Sequence, residues 1–213
     1  AVLLLSLRLR EPEPAAAEPP RQAIDWTFSA LPARYRRYLF ALGLFTLGNA
    51  SNMFLLLRAQ ELGLGAARIT LLWAVFSAVA ALCSAPLSAW SDRIGRTRLI
   101  VAGWAGQAAM YAVLGWLGFD AGWLWLVFAG YGFVTAMIEG SERALVADMV
   151  PAAAAGTAFG WYYLVTGLLL LPASVVFGSL WQDVSPAAAF GLSAACAIGA
   201  ILLLATNRKE AAA

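Results

Sequence analysis

The chain has 213 residues, of which 62% are hydrophobic and only 12% charged, and its mean hydropathy is +0.76. A soluble domain carries roughly a quarter charged residues, so this composition belongs to the lipid bilayer and predicts an all-α, polytopic membrane protein. The net charge of +2 offers no basic surface for nucleic acid, and the absence of histidine removes the usual general base and the commonest metal ligand. Neither a cofactor nor a metal site is expected.

In chain order, residues 1–9 are apolar with the arginines behind the apolar stretch, the reverse of a signal peptide. They read as the last turns of a truncated transmembrane helix. Residues 10–37, rich in Pro, Ala and charge, read as a cytoplasmic central loop. Within it WTFSALPARYRRYL has the makings of a short surface helix, with Ser29 as a cap and its aromatic rings at headgroup level. Six spans follow, at about 38–62, 68–90, 99–118, 121–142, 156–181 and 187–206, each near the ~20 apolar residues that cross a ~30 Å hydrocarbon layer as helix. Residues 207–213 are a tail. Cys83 and Cys196 lie singly in apolar runs and read as packing residues.

Charge sets the orientation. Arg8, Arg10, Arg21, Arg34, Arg36, Arg37, Arg93, Arg96, Arg98, Arg143, Arg208 and Lys209 fall on one side of the predicted spans, and only Arg58 and Arg68 on the other. The positive-inside rule makes the first side cytoplasmic, with both termini there. Abundant Ala, Gly and Arg beside a single Lys suggest a GC-rich bacterial genome, and with it a bacterial inner membrane.

The tight turn SDRIGRTR, residues 91–98, packs four charges and a glycine between two uncharged spans. Its arginines meet headgroups, and Gly95 lets the backbone reverse where a Cβ obstructs it. Asp92 lies at a helix C-terminus, where the macrodipole already presents negative charge. It therefore requires a cation or another helix's N-terminus as partner.

D-R-x-G-R-x-R between two spans resembles the signature loop of the major facilitator superfamily, matched here by Asp92, Arg93, Gly95, Arg96 and Arg98. The segments FTLGNASNMFLLLRAQELGLG and EGSERALVADMVPAAAAGTAFGWYYLVTGLLLLPAS are similar to the seventh span and the tenth-to-eleventh region of bacterial members. The resemblance covers the end of span six, the central loop and spans seven to twelve, so it implies the C-terminal half of a twelve-span transporter whose N-terminal six-span half is missing from this chain. One departure stands out: related sequences often carry charges where this chain has Ala152–Ala155. The resemblance also implies a cytoplasmic charge cluster around the loop's acid. Arg143 is its natural partner here, giving a latch of Asp92, Arg143, Glu139 and Glu142 between conformations. Glu139 and Arg143 share a helix face in the favourable order.

Polar residues deep in a span are costly and default to functional hypotheses. Asn49 and Asn52 lie mid-span on one face, as cavity lining or as interhelical glue. Arg58 either snorkels to pair with Glu61 or contacts an anion. Tyr131, Thr135, Glu139 and Arg143 form an i, i+4 stripe, and Tyr162 and Thr166 share a face on the next span. The resemblance puts its seventh and tenth spans on the cavity; Asn49, Asn52, Arg58, Tyr131 and Thr135, with Tyr162 and Thr166 of the following span, are the candidate solute contacts, and Glu139 the candidate proton carrier. Gly103, Gln107, Tyr111 and Gly115 form a further stripe, on a span the resemblance places at the periphery. Ser77, Ala81, Ser84 and Ser88 supply a small-residue edge for close helix contact, and Pro172 a kink.

The function expected is half of a secondary transporter moving a small organic solute by alternating access, with proton-coupled efflux as one form. The alternative is a non-transporting scaffold, or an orphan half inactive without its N-terminal partner. An intramembrane enzyme is disfavoured, because no His, zinc motif or nucleophile elbow is present.

Overall fold

The computed structural model describes residues 26–49, 51–116 and 122–210, with side chains as far as Thr206. Its helices are α1 (Ala33–Gly48), α2 (Met53–Glu61), α3 (Ala66–Ile94), α4 (Arg96–Trp116), α5 (Leu124–Met149), α6 (Ala155–Asp183) and α7 (Pro186–Glu210), with 3-10 turns at Phe28–Ala30 and Ala152–Ala154. Taken with α1 and α2 as one crossing, they supply six helices long and apolar enough to span a membrane. The expected helix end at 1–9 and most of the central loop lie outside the described residues. In place of a separate surface helix capped by Ser29, a 3-10 turn leads into α1, which begins directly after Pro32.

Local chemistry sets the helix ends. Gly63, at φ +94°, follows α2 in the left-handed region, Leu64 N–H returns to the Ala59 carbonyl and Gly63 N–H to that of Gln60. This is the paired closure that a glycine just past a helix favours. Gly95, at φ +96°, is the only residue between α3 and α4. A Cβ there would meet nothing within 4 Å, so the glycine answers to backbone conformation rather than to a neighbour that a side chain would strike. Val150 is extended ahead of Pro151 and ends α5. Ser185 caps α7, its hydroxyl accepting from Ala188 N–H at 3.1 Å, with Pro186 in the first helical position.

The first crossing departs from the sequence reading. It is broken between Gly48 and Met53, so Asn49 and Asn52 sit at an interruption and do not share the face of a continuous helix. Thr46 Oγ1 turns back to the Leu42 carbonyl at 2.8 Å, a bond that bends helices, and the Met53 amide bonds the Ser51 hydroxyl at 3.3 Å in place of a carbonyl one turn earlier.

Lipid offers no hydrophobic drive for helix to meet helix, so close packing must supply it. The largest contacts are α3 on α5 and α4 on α7, followed by α1 on α7 and α4 on α5. A Cβ at Gly132 would lie 2.5 Å from the Phe76 carbonyl oxygen of α3, which shows how closely those backbones approach. On α3 the buried residues are Leu72, Phe76, Leu87 and Ser91, while Ser77 and Ala81 of the expected small-residue edge face outward. Outer faces of α3 and α6 are apolar and exposed, through Leu71, Leu82 and Trp90 on one and Leu164, Leu168 and Leu171 on the other.

Candidate functional site

A cavity of about 310 Å³ opens where the first crossing is interrupted. Phe45, Thr46 and Asn49 line it from α1 and its end, Asn52 from the start of α2, and Gln107 from α4. Tyr131, Thr135, Glu139 and Glu142 come from α5, and Tyr162 and Thr166 from α6. A second concavity shares Asn49, Asn52, Gly167 and Leu170 and continues past Trp73 and Ser174. Six of the seven solute-contact candidates thus converge. Arg58 does not join them. Its Nε donates to the Leu114 carbonyl at 3.1 Å and its Nη1 pairs with Glu61 at 3.2 Å, tying α2 to the end of α4.

Broken helices expose polar backbone, and a membrane tolerates this only where protein or a water-filled space covers it. Here side chains from the packed helices hold the interruption. Asn49 Oδ1 accepts from Gln107 Nε2 at 3.1 Å and from the Tyr111 hydroxyl at 2.9 Å, and Gln107 Nε2 also donates to the Tyr111 oxygen at 2.8 Å. Tyr131 donates to Asn52 Oδ1 at 3.0 Å. The two asparagines therefore act both as interhelical ties and as cavity wall. Gln107 belongs to the site although the sequence reading set its span at the periphery. The signal for it was present, as an amide inside an uncharged run.

Glu142, expected in the charge cluster, is buried at 5% exposure and bonds neutral donors. Its Oε1 accepts from Trp104 Nε1 at 3.1 Å and its Oε2 from the Tyr162 hydroxyl at 2.9 Å. Trp104 stacks on Phe45, ring centroids 4.6 Å apart, which fixes the indole donor from the α1 side.

The expected Asp92–Arg143 pairing is not what the fold makes. Arg96, the first residue of α4, reaches Asp92 at 3.0 Å, Asp148 of α5 at 2.8 Å and the Ala144 carbonyl. It stands one helical turn beyond Asp92 across the Gly95 reversal, so it intercepts the acid and fastens it to α5. A polar cleft lined by Arg34, Asp92, Arg96 and Asp148 lies at that corner. Arg143 instead binds Glu139 on its own helix, Nη2 to Oε2 at 3.3 Å, in the i, i+4 geometry read from the sequence. Arg93 lines an apolar groove with Trp90 and Phe133 on the outer side of α3. Asp148 went unread in the sequence because its partner begins a different helix, a proximity that spacing along one chain segment does not reveal.

A family profile described as Major Facilitator Superfamily matches residues 1–174 and, in a second alignment, 38–212. An uncharacterized MFS-type transporter of Methanocaldococcus jannaschii is 34% identical over 184 residues, which cover 82% of this chain and 45% of that relative. The chain thus spans about half the length of the curated relative it matches.

Proposed function

The chain belongs to the major facilitator superfamily, and on that premise we propose that it is the C-terminal half of a secondary transporter, with the cavity at the α1–α2 break as one wall of the path for a small organic solute. What carries this reading is the convergence of amides, phenols and hydroxyls from four crossings on one concavity at an interrupted helix. Transporters commonly place substrate sites near the midplane, at discontinuous helices between two repeats. A preceding six-span half would sit across the cavity, against the exposed apolar flanks of α3 and α6, and rocking of one half on the other would give alternate access. The Asp92–Arg96–Asp148 group at the loop takes the latch role at the inner mouth. Coupling to protons, as part of the same proposal, falls to the cavity carboxylates Glu139 and Glu142. Both termini are assigned to the cytoplasm, in a bacterial inner membrane.

The test is counterflow of a panel of labelled organic solutes in vesicles holding the protein together with the residues that precede Ala1. Saturable exchange is expected there, no exchange with these 213 residues alone, and at least about a tenfold loss in Asn49→Leu, about 1.4 kcal/mol of binding. Exchange untouched by Asn49→Leu would remove the cavity from the path.

A further inference from the structure

Glu142 presents an unusual combination in this cavity. Its carboxylate is buried, opens on the concavity, and takes both hydrogen bonds from neutral donors, Trp104 and Tyr162. The groups that α1, α4 and α6 bring to it are aromatic. From α1 the Tyr38 hydroxyl lies within electrostatic range, wholly buried and without a hydrogen-bond partner. From α4 comes Trp104, and from α6 Tyr162. On α5 itself stand Glu139 and Arg143, and Arg143 is exposed and engaged with Glu139. No residue among those lining the cavity is basic, whereas two are acidic and three carry aromatic rings, namely Phe45, Tyr131 and Tyr162.

Physical chemistry narrows what such a wall accepts. An ionised carboxylate removed from water without a cation is unfavourable, and a cation delivered to it offsets that cost. Aromatic faces attract cations further, most strongly where water is excluded. A bare metal ion is a poor fit. Both carboxylate oxygens already accept from N–H or O–H donors, and among the described residues no cluster of three metal-ligating side chains occurs. A space of about 310 Å³ matches the lower end of small-molecule sites, which run from roughly 300 to 1,000 Å³. We infer that the cavity selects organic monocations, planar aromatic or alkyl ammonium compounds, with Glu142 as their counter-ion and Phe45, Tyr131 and Tyr162 as the surrounding rings. This rests on the reading of the cavity as the solute site and names the class of solute.

The experiment reads the cavity's charge in the intact protein in membranes, without needing the natural solute. Cys83 and Cys196 are changed to Ala and Thr135, on the cavity wall, to Cys. Modification rates are then measured with a trimethylammonium, a sulfonate and a neutral methyl thiosulfonate, each divided by its rate on a free thiol. The ammonium reagent should outpace the sulfonate by at least about tenfold, as a nearby negative charge in a partly dehydrated space requires. Glu142→Gln, which retains an acceptor for Trp104 and a group for Tyr162 to bond, should cut that ratio by at least about threefold. N-methyl-4-phenylpyridinium should slow the neutral reagent in the parent and fail to do so in Glu142→Gln. Equal rates for both charged reagents would overturn the inference while leaving an accessible solute cavity. A preference that survives Glu142→Gln would overturn the assignment to this residue. Failure of all three reagents to reach the cysteine would overturn the solute site itself and the inference with it.

Discussion

Trp104 does two things that a single substitution can separate. Its ring stacks on Phe45, and its indole N–H is one of two donors to Glu142. Trp104→Phe keeps an aromatic ring at the stack and leaves one buried carboxylate oxygen without a partner, at a cost of about 1.5–3 kcal/mol. Glu142→Gln retains an acceptor for the indole and should cost less. In thermal unfolding of the purified protein the midpoint should fall further for Trp104→Phe, and the double variant should lose at least about 0.5 kcal/mol less than the sum of the two. Strict additivity would show that the hydrogen bond is not what links them. Glu142 also shows what helical spacing discloses and what it hides. Tyr131, Ile138, Glu142 and Leu145 recur at intervals of three, four and seven along the buried face of α5, so an inward direction was legible. The adjacent Arg143 and the family's charge cluster drew the expectation the other way. Arg143 lies about 100° further round the helix, on the exposed face with Glu139.

Between elements, backbone proximity decides which substitutions the bundle accepts. Gly132→Ala places its methyl 2.5 Å from the Phe76 carbonyl oxygen and 3.3 Å from the Ala80 nitrogen. Both are backbone atoms in mid-helix and cannot swing aside. Overpacking of this kind costs about 1–3 kcal/mol, so α3 should be pushed from α5 with a lowered unfolding midpoint. Gly167→Ala makes the matched control, since its Cβ meets nothing within 4 Å and alanine favours the helix. Equal behaviour of the two variants would refute the close contact. The break in the first crossing makes a second prediction at this scale. At Asn49 the turn-to-turn ladder is replaced by a three-residue closure and at Met53 by a side-chain bond, so these two amides should exchange with deuterium at least about tenfold faster than those of 40–46. Uniform protection would mean a continuous helix. Nothing in Asn49-Ala50-Ser51-Asn52 announces the interruption as a proline would. Every residue there is tolerated in a helix, and the break becomes stable only when Gln107, Tyr111 and Tyr131 arrive from other elements to bond the two amides. The six crossings were legible because length and apolarity fix them one at a time. The interruption and the Arg96–Asp148 tie were not, because each needs a second helix.

For the molecule as a whole, orientation determines what the corner at Arg96 can do. An even number of crossings returns the chain to the side on which it starts, so the α3–α4 turn at Gly95 and the α5–α6 turn at Val150–Ala154 share one face. The α2–α3 turn at Leu62–Gly65 and the α6–α7 turn at Val184–Ser185 share the other. Among arginines with described side chains, Arg34, Arg36, Arg37, Arg93, Arg96, Arg98 and Arg143 gather toward the first face, and Arg58 and Arg68 toward the second. Positive residues beside the ends of spans are retained on the cytoplasmic side, and on that rule the Asp92–Arg96–Asp148 group is proposed to lie at the cytoplasmic face, which labelling can check. In a background where Cys83 and Cys196 are Ala, a membrane-impermeant maleimide applied to intact cells should label Val184→Cys. Ala152→Cys should react only after the cells are opened. Both positions are exposed and lie clear of the Arg96 contacts, so neither change disturbs the charges that set the insertion. With the labelling reversed, the carboxylate–guanidinium group would lie at the outer face, and its proposed role as a cytoplasmic latch would fall.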